Sequence, residues 1–296
     1  MEAVKNISGK KIKAKRHKRV NRSLGGDIAV FATITLLGLF IALPLVYAIG
    51  NAFKPLDELW VFPPPLLPRN PTFKNFTDLF VLLQNSWVPI SRYFFNTLFI
   101  TVVGTAGQLI LASMCAYALA KHPFPGAKFI FQLIVLSLMF NATVTAIPNY
   151  LIMSGLGWVD TYKSIIVPAM GSTLGLFLIK QFMEQLPNEL LEAAKIDGAG
   201  EMRIFWTIVM PNVKPAWLTL MVFSVQSLWN MGSSPFIYSE QLKSLSYAIN
   251  QIVAGGIARA GVGSAVIVIM MIVPIVVFIF TQSNIIETMA SSGLKD

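Results

Sequence analysis

The stretch EAAKIDGAGEMRIFWTIVMP, residues 192–211, decides how this chain folds, because it is a charged segment set between two long apolar runs. Just before it, Pro187 suits the first turn of a helix, and leucines and alanines follow as far as Ala194. Gly198 and Gly200 bracket the kind of turn that needs an unhindered backbone. The pattern predicts a short helix that ends close to Gly198.

A second short helix is predicted from Glu201 to Met210, where Pro211 removes the next hydrogen-bond donor. The two helices together form a helix-turn-helix over residues 187–211, which we call the knob. The alternative interpretation is a connecting loop that has folded into two helical turns.

The first helix of the knob predicts a surface for another protein. Ala193 and Ala194 would leave one face small enough for a close approach. Glu192 is placed to meet Lys195 one turn on, an interaction that orients both charges.

Composition predicts an all-α integral membrane protein. Of the 296 residues, 55% are hydrophobic and 12% are charged, and the mean hydropathy is +0.65. A soluble domain carries about twice that share of charge. Six apolar windows each have roughly the 20 residues with which a helix crosses a membrane. The six predicted spans are residues 28–49, 94–119, 129–153, 164–183, 212–232 and 263–282.

Basic residues predict the orientation of these spans. Nine of the 23 lysines and arginines lie from Lys5 to Arg22, directly before the first apolar run, and such clusters stay in the cytoplasm. Their position favours contact with membrane lipid over nucleic acid as the explanation of the net charge of +9. Six spans then place both termini in the cytoplasm. The expected organisation is a basic tail (1–26), a six-span domain with a cytoplasmic knob (27–286) and a C-terminal tail (287–296).

The sequence offers no constellation for catalysis or for a metal. Cys115 is the only cysteine, and neither His17 nor His122 has a carboxylate or thiol at metal-ligand spacing. A Gly-x-x-x-x-Gly-Lys-Ser/Thr loop is absent, so a partner would have to bind ATP and Mg. We therefore expect no enzyme activity and no cofactor in this chain.

The inventory of acidic residues bears on the energy source. No Asp or Glu lies deep in a predicted span, which counts against an ion-coupled secondary carrier. Lys180 and Glu184, near one end of the fourth span, are spaced to pair with each other.

The knob resembles the cytoplasmic coupling loop of the permease subunits of binding-protein-dependent ABC importers. The pattern of that loop is Glu-Ala-Ala, three residues, Gly, nine residues, Ile, any residue, Leu, Pro. Similarity to the carbohydrate permeases, in the maltose-permease branch, runs from about Ile28 to the C-terminus. In this chain Met210 replaces the Leu, and the matching residues are Glu192, Ala193, Ala194, Gly198, Ile208 and Pro211.

The resemblance implies a function and a set of partners. In that family the loop, which here includes Asp197, docks on an ATP-hydrolysing subunit and carries its closing motion into the membrane. The implied partners are a second homologous permease subunit, an ATP-binding-cassette ATPase dimer and an extracellular or periplasmic solute-binding protein. The solute-binding protein would meet the loop of residues 235–261. The implied location is a bacterial plasma (inner) membrane.

The implied cargo is a sugar or oligosaccharide. An uncharged sugar calls for amides, which exchange hydrogen bonds with hydroxyls, and for aromatic rings, which stack on its apolar face. Such groups are rare at membrane depth, although they also join neighbouring helices. An importer for another solute class, or an ion-coupled carrier, remains the alternative. The candidate pathway residues are Gln108, Asn141, Thr143, Asn149, Gln226, Trp229 and Asn230.

Overall fold

The computed structural model describes residues 24–84, 88–140, 142–232 and 234–292, and every regular element within those ranges is a helix. A π turn, Phe205–Val209, joins α10 to α11, and 3-10 turns occupy Glu240–Leu242 and Ile257–Arg259. The predicted all-helical class is confirmed. The α-helices are α1 (Leu24–Ala52), α2 (Leu56–Leu59), α3 (Lys74–Gln84), α4 (Ile90–Lys121), α5 (Ala127–Ser137), α6 (Ala142–Gly155), α7 (Lys163–Met170), α8 (Thr173–Glu184), α9 (Asn188–Ile196), α10 (Glu201–Ile204), α11 (Met210–Asn212), α12 (Lys214–Trp229), α13 (Leu245–Val253) and α14 (Ala260–Ser292).

The chain divides into two compact units, one ending at Tyr47 and the other beginning at Ala48. In the first unit, the described residues belong to α1. The predicted basic tail lies outside the described residues except for its last three positions, and so do the last four residues of the predicted C-terminal tail.

Four helical segments among the described residues are long and apolar enough to cross a membrane. They are Gly25–Ala52, Ile90–Lys121, Lys163–Glu184 and Ala260–Ser283. The segments Glu201–Asn212 and Lys214–Trp229, which bend by 80° at Val213, would make a fifth if they count as one span. These segments coincide with five of the six predicted windows, as expected of a multi-pass membrane protein.

The third predicted window, 129–153, contains two helices instead of one. The backbone amides of Leu138, Met139 and Phe140 each donate to the carbonyl three residues earlier, so the helical ladder of α5 is lost there. The hydroxyl of Ser137 donates to the Ile134 carbonyl at 2.6 Å and competes with the next helical turn. The prediction of one continuous helix over this window was therefore wrong.

The prediction that the second helix of the knob ends at Met210 was wrong. The π turn carries the helical path through Pro211 to Asn212, and the path breaks at Val213 instead. Pro215 lies in the first turn of α12, where a missing amide hydrogen costs no helical bond. Pro211 therefore does not end the helical path, whereas Pro215 lies where the next helix begins.

Close packing of α8 on α12 depends on Gly175. A Cβ atom at this position would lie 2.6 Å from Cδ1 of Leu220, closer than two carbon atoms can approach. The Oγ atom of Ser172 accepts a hydrogen bond from the Gly175 amide at 3.4 Å and caps α8. Glycine therefore brings these two helices together.

Three clusters of buried side chains hold the second unit together, and the third joins α4, α7 and α12 to the loop that follows α12. The first packs α4, α8 and α12 against the knob. The second packs α3, α13, α14 and the first turns of α4, and it includes Leu79, Leu83, Tyr93, Ile249 and Val266. The long helix α4 contributes to all three clusters, so it links the knob to the loops at its other end.

Candidate functional site

The turn of the knob requires glycine at one position. Gly198 has a φ of +80°, in the left-handed region, and follows the end of α9. The amide of Gly198 donates to the Lys195 carbonyl at 3.0 Å, and the amide of Ala199 donates to the Ala194 carbonyl at 2.9 Å. This pair of bonds is the Schellman motif, which satisfies carbonyls at a helix C-terminus.

Gly200 does not share this requirement. Its φ is −72°, and a Cβ atom added there would meet nothing within 4 Å. The prediction that two glycines are needed was correct for Gly198 and wrong for Gly200, because the chain has already returned to an ordinary conformation.

The two alanines of the motif lie on different faces of α9. Ala194 is 8% exposed and packs in the core with Leu191, whereas Ala193 is exposed beside Glu192. Successive residues of a helix point about 100° apart, so a pair of neighbours cannot share one face. The expected small face made by both alanines is therefore wrong, and only Ala193 is available to a partner.

The remaining motif residues divide in the same way. Asp197, Gly198 and Pro211 are exposed, whereas Ile208 is half-buried against the core. The knob thus presents one set of motif residues to its surroundings and anchors itself with the other.

Sequence reasoning missed three exposed apolar side chains of the knob. Ile196 is 85% exposed, Met202 is 60% exposed and Trp206 is 47% exposed. Each lies off the helical face that buries Leu191 or Ile204, which was the available signal. Large apolar side chains held in the open on a charged segment are typical of a surface that another protein covers.

Glu201 clamps the knob to the last turns of α4. Its Oε1 atom lies 2.7 Å from the Lys195 ammonium, and its Oε2 atom accepts a hydrogen bond from the Tyr117 hydroxyl at 2.9 Å. Nε2 of His122 lies 3.5 Å from the same Oε2 atom. The predicted pairing of Lys195 with Glu192 was wrong, because the turn at Gly198 brings Glu201 to the lysine.

A second set of contacts fixes the start of the knob. The Lys121 ammonium donates to the Leu186 carbonyl at 2.5 Å and to Oδ1 of Asn188 at 3.0 Å. The predicted pair of Lys180 and Glu184 is confirmed, with 2.5 Å between Nζ and Oε1. The Lys121 contacts tie the connection between α8 and α9 to the end of α4, whereas the Lys180–Glu184 pair lies within α8.

The seven candidate pathway residues are not all alike in exposure. Gln108 is buried on α4, and Trp229 is 2% exposed. Asn141 lies outside the described residues. The exposed candidates are Thr143, Asn149, Gln226 and Asn230.

The surroundings of Trp229 are those of a packed side chain. Its indole Nε1 donates to the Met270 carbonyl at 3.0 Å, and its ring meets Phe94 edge-on at a centroid distance of 6.3 Å. In this conformation Trp229 is almost fully buried by its neighbours.

One face of α12 combines polar and aromatic groups in the open. Gln226 and Asn230 share it with Phe223 and Ser227, two residues that sequence reasoning missed. The spacing of three and four residues places all four side chains on one helical stripe. That spacing was the signal in the sequence.

The loop that follows α12 is fastened to the first turns of α4. The Asn96 amide donates to the carbonyls of Gln241 and Lys243, each at 2.8 Å. The Tyr93 hydroxyl donates to Oε1 of Glu240 at 2.8 Å. The loop is therefore held in a defined position, as a docking surface for a protein requires.

Asp160 fastens the same loop from another side. Its Oδ1 atom accepts from the amides of Tyr238 and Ser239 at 3.0 and 2.8 Å, and its Oδ2 atom accepts from the Ser239 hydroxyl. The hydroxyl bond, together with these amides, lowers the pKa of the Asp160 carboxyl below its ordinary value. The carboxylate thus stays ionised where the loop needs an acceptor.

Among the described residues, no group of three His, Cys, Asp or Glu side chains is placed to hold a metal ion.

Comparison with known proteins identifies the family of this chain. Residues 28–290 match the family described as binding-protein-dependent transport system inner membrane component. Protein LplC of Bacillus subtilis (strain 168) is 36% identical over 194 residues, which cover 66% of this chain and 63% of that relative. The permease protein UgpE of an sn-glycerol-3-phosphate transport system from Yersinia enterocolitica is 33% identical, covering 72% of this chain and 76% of that protein.

A longer match is found in Halalkalibacterium halodurans. The arabinooligosaccharides transport system permease protein AraQ is 30% identical over 275 residues, covering 90% of this chain and 94% of that protein. A crystal structure of a bacterial ABC transporter involved in the import of the acidic polysaccharide alginate matches with a TM-score of 0.73 and 25% identity. That match covers 88% of this chain and 98% of the other. This chain is a member of the family of binding-protein-dependent transport system inner membrane components.

Proposed function

We propose that this chain is the permease subunit of an ATP-driven ABC importer for sugars or oligosaccharides. The observation that carries the proposal is the knob, whose exposed motif residues and exposed Ile196, Met202 and Trp206 stand on a base packed into the spanning helices. A partner protein could displace such a surface, and the packed base would transmit the displacement to the spanning helices. The family supplies the class of machine, and the oligosaccharide relative suggests the class of cargo.

In the proposed mechanism, an ATPase subunit docks on Glu192, Ala193 and Asp197, and its closure on ATP and Mg displaces the knob. The buried side chains of the knob then move α4, α8 and α12 together, because protein interiors are close-packed and transmit strain. A second homologous permease completes the pathway, and the spans alternate between the two sides. A solute-binding protein would deliver cargo at the loop held by Asn96 and Asp160.

The proposal includes six crossings, with α5 and α6 forming the third as a broken span. Non-helical backbone at membrane depth is tolerated where it is buried in protein or lines a water-filled cavity. Both termini and the knob would then lie in the cytoplasm, and the membrane would be the bacterial plasma (inner) membrane.

The cargo is inferred from the open stripe of α12. Phe223, Gln226, Ser227 and Asn230 provide a ring, two amides and a hydroxyl, without a charge. Thr143 and Asn149 on α6 are of the same kind. These groups suit hydroxyl-rich, uncharged solutes. An importer of phosphorylated solutes is the second candidate, favoured by the relative that serves sn-glycerol-3-phosphate transport, and it would call for basic groups beside the cargo.

The test is reconstitution of the chain in liposomes with its second permease, ATPase and binding protein, and measurement of ATPase activity against a panel of oligosaccharides and sugar phosphates. One loaded binding protein should stimulate hydrolysis, and Gly198→Asp should abolish that stimulation while the complex still assembles. The matched control is Gly200→Ala, which alters no contact and should behave as the unmodified chain. Full stimulation of the Gly198→Asp complex would refute the coupling role, and stimulation by sugar phosphates alone would select the second candidate.

A further inference from the structure

A cavity of about 590 Å³ lies beside the knob, where the last turn of α4, the start of α5 and the end of α8 converge. The coupling surface and the pathway residues are not part of it. Its lining includes basic side chains from Lys121, Lys128 and Lys180 and apolar ones from Leu119, Phe124 and Phe131, together with His122, Glu184 and Asn188.

The charges of this cavity do not balance. Among the described residues that line it, Glu184 is the one carboxylate, and it pairs with Lys180 at 2.5 Å. The Lys180 side chain is 7% exposed, and its ammonium also lies 3.7 Å from the centroid of the Phe131 ring. The charge of this lysine is therefore compensated within the protein.

Two further lysines form no ion pair with a described carboxylate, although Glu184 and Glu189 act on the Lys121 charge through longer-range Coulombic interactions. The Lys121 ammonium donates to two neutral oxygen atoms, the Leu186 carbonyl and the Asn188 amide. Lys128 is exposed and contacts no hydrogen-bond acceptor in the part of the chain that the structure describes. The cavity consequently holds two lysine ammonium groups that no described carboxylate contacts directly.

The apolar walls indicate what kind of anion fits. The cavity lies where the segments Ile90–Lys121 and Lys163–Glu184 both end, which is the depth of lipid headgroups if these segments span the membrane. Beside it, α5 exposes Phe129 (63%) and Leu133 (48%). An anionic group attached to a long apolar chain would satisfy both the lysines and this surface.

We propose that the cavity binds the phosphate headgroup of an anionic membrane phospholipid, whose acyl chains lie along α5. The inference rests on the membrane placement in the proposed function, but not on coupling to an ATPase. Basic pockets between spanning helices on the cytoplasmic side of a membrane bind anionic headgroups in this manner. A free phosphate ion would gain from the lysines but nothing from Phe124 or Phe129.

The experiment measures which lipids remain with the purified full chain in nanodiscs that contain equal amounts of phosphatidylglycerol and phosphatidylcholine. Native mass spectrometry of the released complexes counts each bound lipid. The variants are Lys128→Gln and Lys121→Gln, and Lys121→Arg tests for rescue because it keeps the charge. The matched control is Lys214→Gln, a lysine near the knob that does not line the cavity.

We expect retention of phosphatidylglycerol over phosphatidylcholine, reduced on the order of fivefold by either glutamine variant, which is the effect of one basic group near an anionic surface. Lys121→Arg and Lys214→Gln should retain the preference. Thermal unfolding of each variant separates lost binding from lost folding. Because Lys128 is exposed, the Lys128→Gln variant should fold as the unmodified chain does.

Three outcomes would overturn the inference. These are equal retention of the two lipids, glutamine variants that keep the preference, and displacement of the lipid by millimolar inorganic phosphate, which would identify a soluble anion as the ligand. If the lysines instead contact the ATPase, lipid retention is unchanged and assembly fails. Because the measurement needs no ATPase, a chain that binds the lipid but couples to no ATPase would refute the proposed function alone.

Discussion

Gly198→Ala tests whether the turn of the knob depends on backbone conformation alone. Gly198 has a φ of +80°, and a Cβ atom placed there would meet nothing within 4 Å. The cost of alanine is therefore conformational and not steric, about 1–2 kcal/mol for a residue forced into the left-handed region. Gly200→Ala is the matched control, since the φ of Gly200 is −72° and the space around it is also open.

The assay is hydrogen–deuterium exchange of the knob in the purified chain, followed by mass spectrometry. A loss of 1–2 kcal/mol in the turn should raise the exchange of the Gly198 and Ala199 amides about 5–30-fold, because opening becomes that much more frequent. Gly200→Ala should leave exchange unchanged or slow it slightly, since alanine restricts the unfolded chain. Gly198→Asn should fall between, because asparagine tolerates the left-handed region better.

Two results would refute the reasoning. Unchanged exchange in Gly198→Ala would mean that the turn is not held by the Schellman bonds. Equal effects of Gly198→Ala and Gly200→Ala would mean that the exchange rate depends on the loss of any glycine in the turn and not on the sign of φ.

The other predictions concern a clamp, a packing contact and a loop. Glu201→Gln should remove the ion pair with Lys195, worth under about 1 kcal/mol because both groups are half exposed. The variant should therefore lose much of its binding-protein-stimulated ATPase activity while its unfolding temperature changes little. Gly175→Val should destabilise by about 1–3 kcal/mol, because its side chain overlaps Leu220, and a thermal unfolding curve identical to that of the unmodified chain would contradict the packing. The pKa of Asp160 is lowered in the folded loop, so its stabilisation is present above the unfolded pKa of about 3.9 and is lost as pH falls through the folded value. Asp160→Asn should therefore abolish the acid-induced increase in pepsin cleavage of the loop that follows α12, and a loop equally sensitive to acid in both proteins would exclude this role.

The turn at Gly198 was predictable from the sequence, and the long-range partner of Lys195 was not. The turn at Gly198 is set by residues within one helical turn, so the glycine alone indicates it. The ion-pair partner of Lys195 depends on the direction of the chain after that turn. The position of α10 places Glu201 beside the lysine. The third window is a different case, because the break after Ser137 is local and hydropathy, which predicts a span there, does not detect it.

The pathway residues illustrate a second limit. Residue type identified Gln226 and Trp229 equally well as groups suited to a sugar. Their exposure differs because Trp229 faces Phe94 and Met270, and Gln226 lies on the open stripe of α12. Helical spacing separates the two faces of α12, but only the packing of neighbouring helices decides which face is covered.

In the proposed coupling, the exposed and the buried residues of the motif have different roles. A push on Glu192 and Ala193 would be lost in bending α9 if that helix stood on a loose base. Leu191 and Ala194 lie on the opposite side of the same turns and are packed against the spanning helices. The small side chain of Ala194 lets α9 approach that core closely, and Glu201 ties the following helix to α4. A displacement of the exposed residues must therefore move the buried ones by a similar distance, since close-packed side chains do not compress.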